Sequence, residues 1–486
     1  MITNLNFKNF KKSCLRRSHQ TLFKSLNCNN YKKIENIFQF LLSEKDSFIF
    51  ESVEKGKIKG RFTIIGLNPD KKWDIYNKRI FEIGTSNKKK VIRKDPLKFI
   101  NELISKFNFK MPATLPSMSS MLVGYFSYDT IRYMENIPDN STDDLLIPDV
   151  RLMRPKNLII YDNLKKKVHF IENVFNDRKI NNFVEEFDNI NKRLNYFLNC
   201  GEISLPKQLT TKKNNHKIKS NTSKEKFKKM VIAAKKHIKK GDIFQVVLSQ
   251  RFERKIIKKP LEIYNHLRVS NPSPFMFYFN FEDFKVLGSS PEILVRLRNN
   301  TVTIRPIAGT RPRGADVKSD KKFEKDLLKD KKELSEHLML LDLGRNDVGK
   351  VSKINSVKVN EKFKIERYSH VMHIVSNVEG KFNPKFSLFE TLMSGFPAGT
   401  VSGAPKIRAM ELIDKMEKNK RKLYAGGIGY FSPNSEFDTC IALRTALIKK
   451  DKIYVQAGAG VVADSKPDKE YMETVNKAKA LMSAVD

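Results

Sequence analysis

Arg305-Pro306-Ile307-Ala308-Gly309-Thr310-Arg311-Pro312-Arg313-Gly314 places three arginines, two prolines and two glycines in ten residues. Proline fixes φ and glycine opens positive φ, so the backbone is expected to turn tightly and expose its amides. Thr310 adds a hydroxyl donor. The segment reads as a loop suited to a small, multiply charged anion. A basic surface turn fits the same composition, and the residues around it have to decide.

Downstream, residues 332–343 and 469–484 have helical spacing. Glu333 and Glu336 share one face of the first, and Glu470 and Glu473 repeat the interval on the second. The second helix opens after Pro467-Asp468. Its apolar positions Met472, Val475 and Met482 put Glu473 at the edge of a buried stripe. Carboxylates at the edge of a core need partners. Two such pairs facing each other would form a hard-oxygen site suited to Mg²⁺; solvated salt-bridge faces, with lysines flanking all four, are the plainer alternative.

Other segments carry candidate donors and acids. Gly458-Ala459-Gly460 follows a strand pattern and reads as an anion-binding nest or a β-turn. Arg444 lies in the mostly apolar run DTCIALRT (438–445), where a guanidinium needs either a ligand carboxylate or an internal Asp or Glu. Tyr424 begins a neighbouring glycine-rich strand. Glu292 follows Gly288-Ser289-Ser290-Pro291, and burial there would make it a general acid. His370 and His373, three residues apart, suit acid–base work or packing better than metal. No Ser/His/Asp ordering or phosphate-loop signature supports hydrolase or kinase chemistry.

The chain divides into three stretches. Residues 1–203 alternate short β-like runs with polar turns: strands are expected at 47–53, 61–67, 121–128 and 157–161, the second stopped by Asn68-Pro69-Asp70, and a helix at 183–198. Residues 204–223 lack apolar periodicity and read as a linker. Residues 224–486 open on a helix capped by Ser223 and hold the punctuated motifs. Strands are expected at 245–249, 275–280, 285–287, 424–431 and 452–456. The mixture predicts an α+β fold, with helices flanking large antiparallel sheets.

With 486 residues and 40% hydrophobic side chains, the chain can build a sizeable core. Its net charge is +38, which raises the alternative of a basic nucleic-acid-binding protein. The lysine runs are scattered rather than gathered in one arm, and Lys, Asn, Ile and Phe share A/T-rich codons, so codon bias is the preferred reading. No apolar run approaches a membrane span. The four cysteines, Cys14, Cys28, Cys200 and Cys440, form no CxxC pair and read as reduced cytoplasmic thiols. No acidic residue precedes Glu35, a pattern shared with transit peptides; in so lysine-rich a chain the favoured reading is a cytoplasmic start.

Taken in order, GDIFQVVLSQR (241–251), NPSPFMFY (271–278), GSSPEILVR (288–296), RPIAGTRPRG (305–314), ELSEHLMLLDLGRNDVGKVS (333–352), ERYSHVMHIVS (366–376), FPAGTVSGAPKIRAM (396–410), YAGGIGYF (424–431), DTCIALRT, QAGAGVVADSKP (456–467) and EYMETVNKA (470–478) resemble the chorismate-utilising enzymes, and among them the large subunits of anthranilate synthases. The resemblance spans roughly residues 225–486, with weaker matches before it. It implies conversion of chorismate, a dianion with a ring carboxylate and an enolpyruvyl ether, to anthranilate and pyruvate. It also implies Mg²⁺ on Glu336 and Glu473 against the ring carboxylate, with Glu333 and Glu470 close by. Gly309, Thr310 and the amides of Gly458, Ala459 and Gly460 would donate to substrate, and Arg444 and Tyr424 would grip the pyruvyl side. Glu292 would protonate the departing hydroxyl and His373 would help pyruvate leave; Thr310 and Gln245 complete the implied catalytic set.

Two positions sort the subfamilies. Ala308 stands where aminodeoxychorismate synthases, the alternative activity, often carry a nucleophilic lysine, and alanine closes that covalent route. Gln245 stands where isochorismate and salicylate synthases carry a lysine base, so ammonia rather than water is the implied nucleophile. Glu51-Ser52-Val53 with Gly60-Arg61-Phe62 resembles the family's feedback segment. Ser52, Pro274, Phe275 and Met276 would form an L-tryptophan pocket, although leucines usually stand where this chain has Ile49-Phe50. A strand residue facing solvent is the plainer reading of Ser52. Nothing resembles a glutamine amidotransferase, so a separate amidotransferase subunit in a hetero-oligomer is implied, with no nucleic-acid or membrane partner.

Overall fold

The aromatic strand Phe275–Asn280 is the seam of the molecule. On one side it pairs with Ser47–Glu51 (Phe277 opposite Phe50, Phe279 opposite Phe48), and on the other with Lys285–Ser290. A computed structural model of the chain describes residues 1–54, 58–177, 180–200, 216–368 and 371–485. Phe277, Phe279, Phe281 and Phe284 are 0–1% exposed and share a core with Phe48 and Tyr125. Fully burying one such side chain is worth roughly 1.5–3 kcal/mol, so packing as well as the ladder joins the first part of the chain to the second.

From this seam one continuous, essentially antiparallel sheet runs through both parts, with helices packed around it, an α+β architecture. Leu122–Phe126 pairs with Gly427–Ser432 in a second crossing of the expected linker. Most of that linker, 204–215, lies outside the described residues. Beyond it, Lys219–Ser220 already pairs with Gln245–Lys255, and Ser223 caps the helix Lys224–Lys239 by accepting from Lys226 N–H at 3.2 Å.

Several strands outrun their expected bounds. Asn68-Pro69-Asp70 does not stop a strand: Phe62–Tyr76 continues through it. Pro69 lies opposite Pro155 at a register shift, and Asn68 takes a φ of 51°. A bulge absorbs the missing ladder donor while pairing on either side holds the strand together. Lys452–Val461 likewise runs through Gly458 and Gly460. Among the described residues no helix is long and apolar enough to cross a membrane, and all four cysteines are free.

The two glutamate helices are Lys331–Gly349 and Pro467–Ser483. Asp330 caps the first, accepting from Lys332 and Glu333 N–H, and also takes Arg311 Nη2 at 2.7 Å. That carboxylate ties the helix to the segment 305–314. The second helix packs along Lys452–Val461 and against Lys224–Lys239.

Candidate active site

The segment 305–314 is not the expected loop. Ile307–Pro312 is a strand paired with Val371–Lys381, Ala308 opposite Ile374 and Thr310 opposite His373, with Gly309 as the extra residue of a bulge. Gly309 has a φ of 69°, and a Cβ there would stand 3.3 Å from Glu333 Oε2. Glycine therefore permits both the bulge and the approach of the first glutamate helix. The arginines are not free for an anion. Arg305 bonds Glu361 at 2.9 Å and Glu366 at 2.5 Å, Arg311 bonds Asp326 at 2.6 Å and Asp330 at 2.7 Å, and Arg313 bonds Asp320 at 2.6 Å. Prolines at 306 and 312 leave extended backbone intact, and a bulged edge strand meets the demand for positive φ that sequence alone read as a turn.

The bulge aims a histidine. His373 Nδ1 lies 3.0 Å from the Gly309 carbonyl and 3.1 Å from Thr310 Oγ1. A carbonyl can only accept, so Nδ1 carries the proton and Nε2 keeps its lone pair. Burial pushes the imidazole down to about 4, helped by the cations Arg444 and Lys477, so the ring is neutral near pH 7. The Tyr368 ring packs edge-on against it, centroids 5.5 Å apart. His370 lies outside the described residues.

Glu292 sits between the strands Lys285–Ser290 and Ile293–Arg298 and is 6% exposed. Burial pushes its carboxyl up to about 8, against the opposing pull of a 3.1 Å hydrogen bond from Thr400 Oγ1, the Ile307 amide and the charge of Arg444. It is a carboxylic acid held protonated at neutral pH.

Arg444 occupies the short connector between Glu436–Ile441 and Thr445–Lys449, with a φ of 46°. Among the described residues its guanidinium makes no ion pair or hydrogen bond. Burial lowers its pKa, and Tyr368 and Glu292, which would pull it back if ionised, are both held neutral by burial. An unpaired, largely desolvated guanidinium on left-handed backbone is costly on both counts and is the arrangement a carboxylate ligand would relieve.

The glycines 458 and 460 lie within the strand Lys452–Val461 and form neither a nest nor a turn. Val247 N–H bonds the Ser402 carbonyl at 2.9 Å, and Ser249 N–H bonds Glu417 Oε1 at 2.7 Å. The pairs Val247–Gly460 and Ser249–Gly458 are therefore the non-hydrogen-bonded ones. The N–H groups of Gly458 and Gly460 point the other way, past the end of Thr445–Lys449, whose pairing stops at Val455. Ala459 belongs to the hydrogen-bonded pair with Leu248, so its amide is spent on the ladder. Tyr424 lies in the turn before Gly427–Ser432 rather than at the start of that strand. It takes the Gly458 N–H, and burial pushes its hydroxyl up to about 12. A Cβ at Gly458 would stand 2.6 Å from Tyr424 Oη, and one at Gly460 2.6 Å from Gln245 Nε2, so both positions exclude side chains.

Gln245 Nε2 donates to Glu336 Oε1 at 3.0 Å, while its own Oε1 is buried with no partner. Burial and the charges of Glu333 and Glu473 raise the Glu336 pKa; Glu333 and Glu470 are raised chiefly by burial. Glu473 is held by Lys477 at 2.6 Å and Glu333 by Arg311 at 3.4 Å. Hard oxygens in mutual repulsion, with Glu336 and Glu470 in no ion pair among the described residues, fit a divalent cation such as Mg²⁺. Among the described residues no three acidic, imidazole or thiol groups are gathered closely enough to hold one, so the ion would have to draw the carboxylates in.

Ser52, Pro274, Phe275 and Met276 line a cavity of about 1120 Å³ away from the glutamates. Arg296, Arg305 and Tyr368 line it too, and Tyr368 also packs against His373. Sequence reasoning missed Thr400 and Lys477. Thr400 stands inside FPAGTVSGAPKIRAM, and Lys477 lies one turn beyond Glu473, so spacing could have found the second.

Residues 45–483 match the family model for chorismate binding enzymes. Anthranilate synthase component 1 of Cereibacter sphaeroides is 42% identical over 495 residues, covering 99% of this chain and 97% of that protein. The crystal structure of anthranilate synthase component I from Streptococcus pneumoniae is 37% identical with a TM-score of 0.78, covering 88% of this chain and 94% of that one. The menaquinone-specific isochorismate synthase of Escherichia coli shares the fold alone, with a TM-score of 0.72 at 17% identity over 99% of each chain. With its bulged strand, its glycine-edged sheet and these relatives, the chain belongs to the chorismate-binding enzymes, in the anthranilate synthase component 1 family.

Proposed function

We propose that this chain converts chorismate and ammonia to anthranilate and pyruvate with Mg²⁺, the ammonia coming from glutamine through a separate amidotransferase subunit. The observation that carries the reading is the pair Glu292 and His373, an acid pushed up to about 8 and a base pushed down to about 4, both within the field of the unpaired Arg444. Two groups driven apart in pKa divide acid and base work between them.

In this reading Arg444 and the free amide of Gly460 grip substrate oxygens, and Tyr424, which takes the Gly458 N–H, is locked beside them. Glu336, Glu473, Glu333 and Glu470 would hold Mg²⁺, which supplies Lewis-acid and template chemistry at the ring carboxylate. Glu292 gives its proton to the departing ring hydroxyl. Gln245, fixed by its bond to Glu336, turns an unsatisfied carbonyl oxygen to the site, an acceptor for one N–H of incoming ammonia. The Nε2 lone pair of His373 then takes the ring proton as the enolpyruvyl group leaves and the ring becomes aromatic. Ala308 offers no nucleophile, which favours direct amination and the ortho amine.

The cavity at Ser52, Pro274, Phe275 and Met276 supports tryptophan as the effector, since its lining combines a hydroxyl and an apolar wall with Tyr368, which packs against His373. The purified chain with chorismate, Mg²⁺ and excess ammonium is expected to yield fluorescent anthranilate, and with glutamine only after the partner subunit is added. Absence of product with ammonium, or a para-amine product, would overturn the assignment.

A further inference from the structure

Glu292 faces a supply problem. An acid that surrenders a proton in each turnover must regain one, yet this carboxyl is 6% exposed and its substrate side would be occupied. Beside it lies a small cavity of about 30 Å³, whose lining includes Glu292, Thr400, Pro306, Leu343, Gly344 and Asp347. That volume exceeds the roughly 10–15 Å³ needed for one water, and the lining offers the two to four polar partners an ordered water requires. Asp347 is 3% exposed and is bonded by Lys406 and Lys350, each at 3.0 Å; the Lys350 side chain is 60% exposed.

We infer that this cavity holds an ordered water bridging Glu292 to Asp347, and that Asp347 with Lys406 is the proton inlet of the general acid. The inference rests on the proposed acid role of Glu292. After Glu292 has released its proton, the water gives one to the carboxylate. The water oxygen regains a proton from the Lys406 ammonium through Asp347, and Lys406 recovers one from solvent. One proton enters per turnover and nothing is oxidised. Burial lowers the Lys406 pKa, which eases the release. The charged and titratable groups around Glu292 are Arg444 and Tyr368 and, on the lining of the same cavity, Asp347 with its two lysines. Asp347 and Lys406 act through Glu292 and are positioning residues.

The test is a crystal structure of the chain at a resolution that shows water, together with Gly344→Ala. A Cβ at 344 would stand 3.1 Å from Pro306 Cγ and 3.6 Å from Ile304 Cγ2, on the cavity wall, and alanine is the better helix former. The water is expected in the parent and absent from the variant. In the variant kcat should fall by about tenfold or more, with the KM for chorismate within about twofold, a larger solvent deuterium isotope effect on kcat and a shifted alkaline limb of the pH profile. A merely structural role for Gly344 would move neither of the last two. A dry cavity in the parent overturns the inference, as does a variant that has lost the water yet keeps the parent kcat, isotope effect and pH profile. The water is read without turnover, so a chain that consumes no chorismate sinks the functional reading while the crystal still decides this one.

Discussion

Arginine is used in opposite ways in the segment 305–314 and in the connector that ends at Arg444. The first holds three guanidiniums within nine residues, and every one is bonded to a carboxylate of a neighbouring element. The second holds one, largely buried and without an ion pair among the described residues. Arginine density marks the first segment and availability marks the second. A paired guanidinium builds structure, whereas an unpaired one is a standing cost that a substrate anion can relieve. The segment richer in arginine therefore shapes the candidate site through its backbone, by the bulge that orients His373, while the lone Arg444 offers it charge.

Breaking the comparison at its stronger end should give the largest effect. Arg444→Gln is expected to lower kcat/KM for chorismate at least about a hundredfold, the scale of losing one partner from a desolvated charge pair. The melting temperature should hold or rise, because a buried unpaired charge has gone. Steady-state kinetics with a thermal melt check this, and a large loss of stability would show that Arg444 has a structural partner after all.

The neighbouring acid sharpens the point through pH. Glu292 should support turnover below about pH 8 and fail above it, and Arg444→Gln should move that limb upward, since the guanidinium holds the Glu292 pKa down. Glu292→Gln should cost about a hundredfold in kcat. The stability sign is fixed by the raised folded-state pKa. The contribution of neutral Glu292 is complete below its unfolded value near 4.5 and is lost as pH rises to about 8, on the order of 3–5 kcal/mol. Denaturant titrations of the parent against Glu292→Gln across that window measure it.

Within the arginine-rich segment, the backbone should matter more than the charge. Gly309→Ala forces a side chain into left-handed backbone, roughly 1–2 kcal/mol, and presses on Glu333, so turnover should drop severalfold with displacement of the His373 ring. The smallest effect is expected of Arg305→Gln, at most about 1 kcal/mol in stability with activity within about twofold. Equal catalytic losses at Arg305 and Arg444 would erase the distinction.

Much of the placement of the candidate site residues on elements was legible from sequence because it rests on residue type and short spacing. Glu333 with Glu336 and Glu470 with Glu473 fall on observed helices, and Phe275–Asn280 forms as read. Errors gathered wherever glycine or proline meets a sheet. The segments 305–314 and 458–460 were read as turns, and Asn68-Pro69-Asp70 as a strand end, because such residues punctuate isolated chains; a long ladder paired on both flanks accommodates them as bulges and close approaches. Thr400 escaped notice because a lone threonine has no pattern.

By itself the sequence determined which groups were available to the candidate site, five glutamates, a glutamine, a histidine and an arginine in an apolar run, since charge, donor type and helical interval are local properties. Only the tertiary structure decided their states: that His373 keeps Nδ1–H and a free Nε2, that Glu292 holds its proton, that Gly460 offers its amide while those of Gly458 and Ala459 are spent on Tyr424 and the ladder, and that Arg444 alone among these arginines is uncommitted. Burial, ladder parity and the presence or absence of a partner are set by segments far apart in the chain, and no local pattern encodes them.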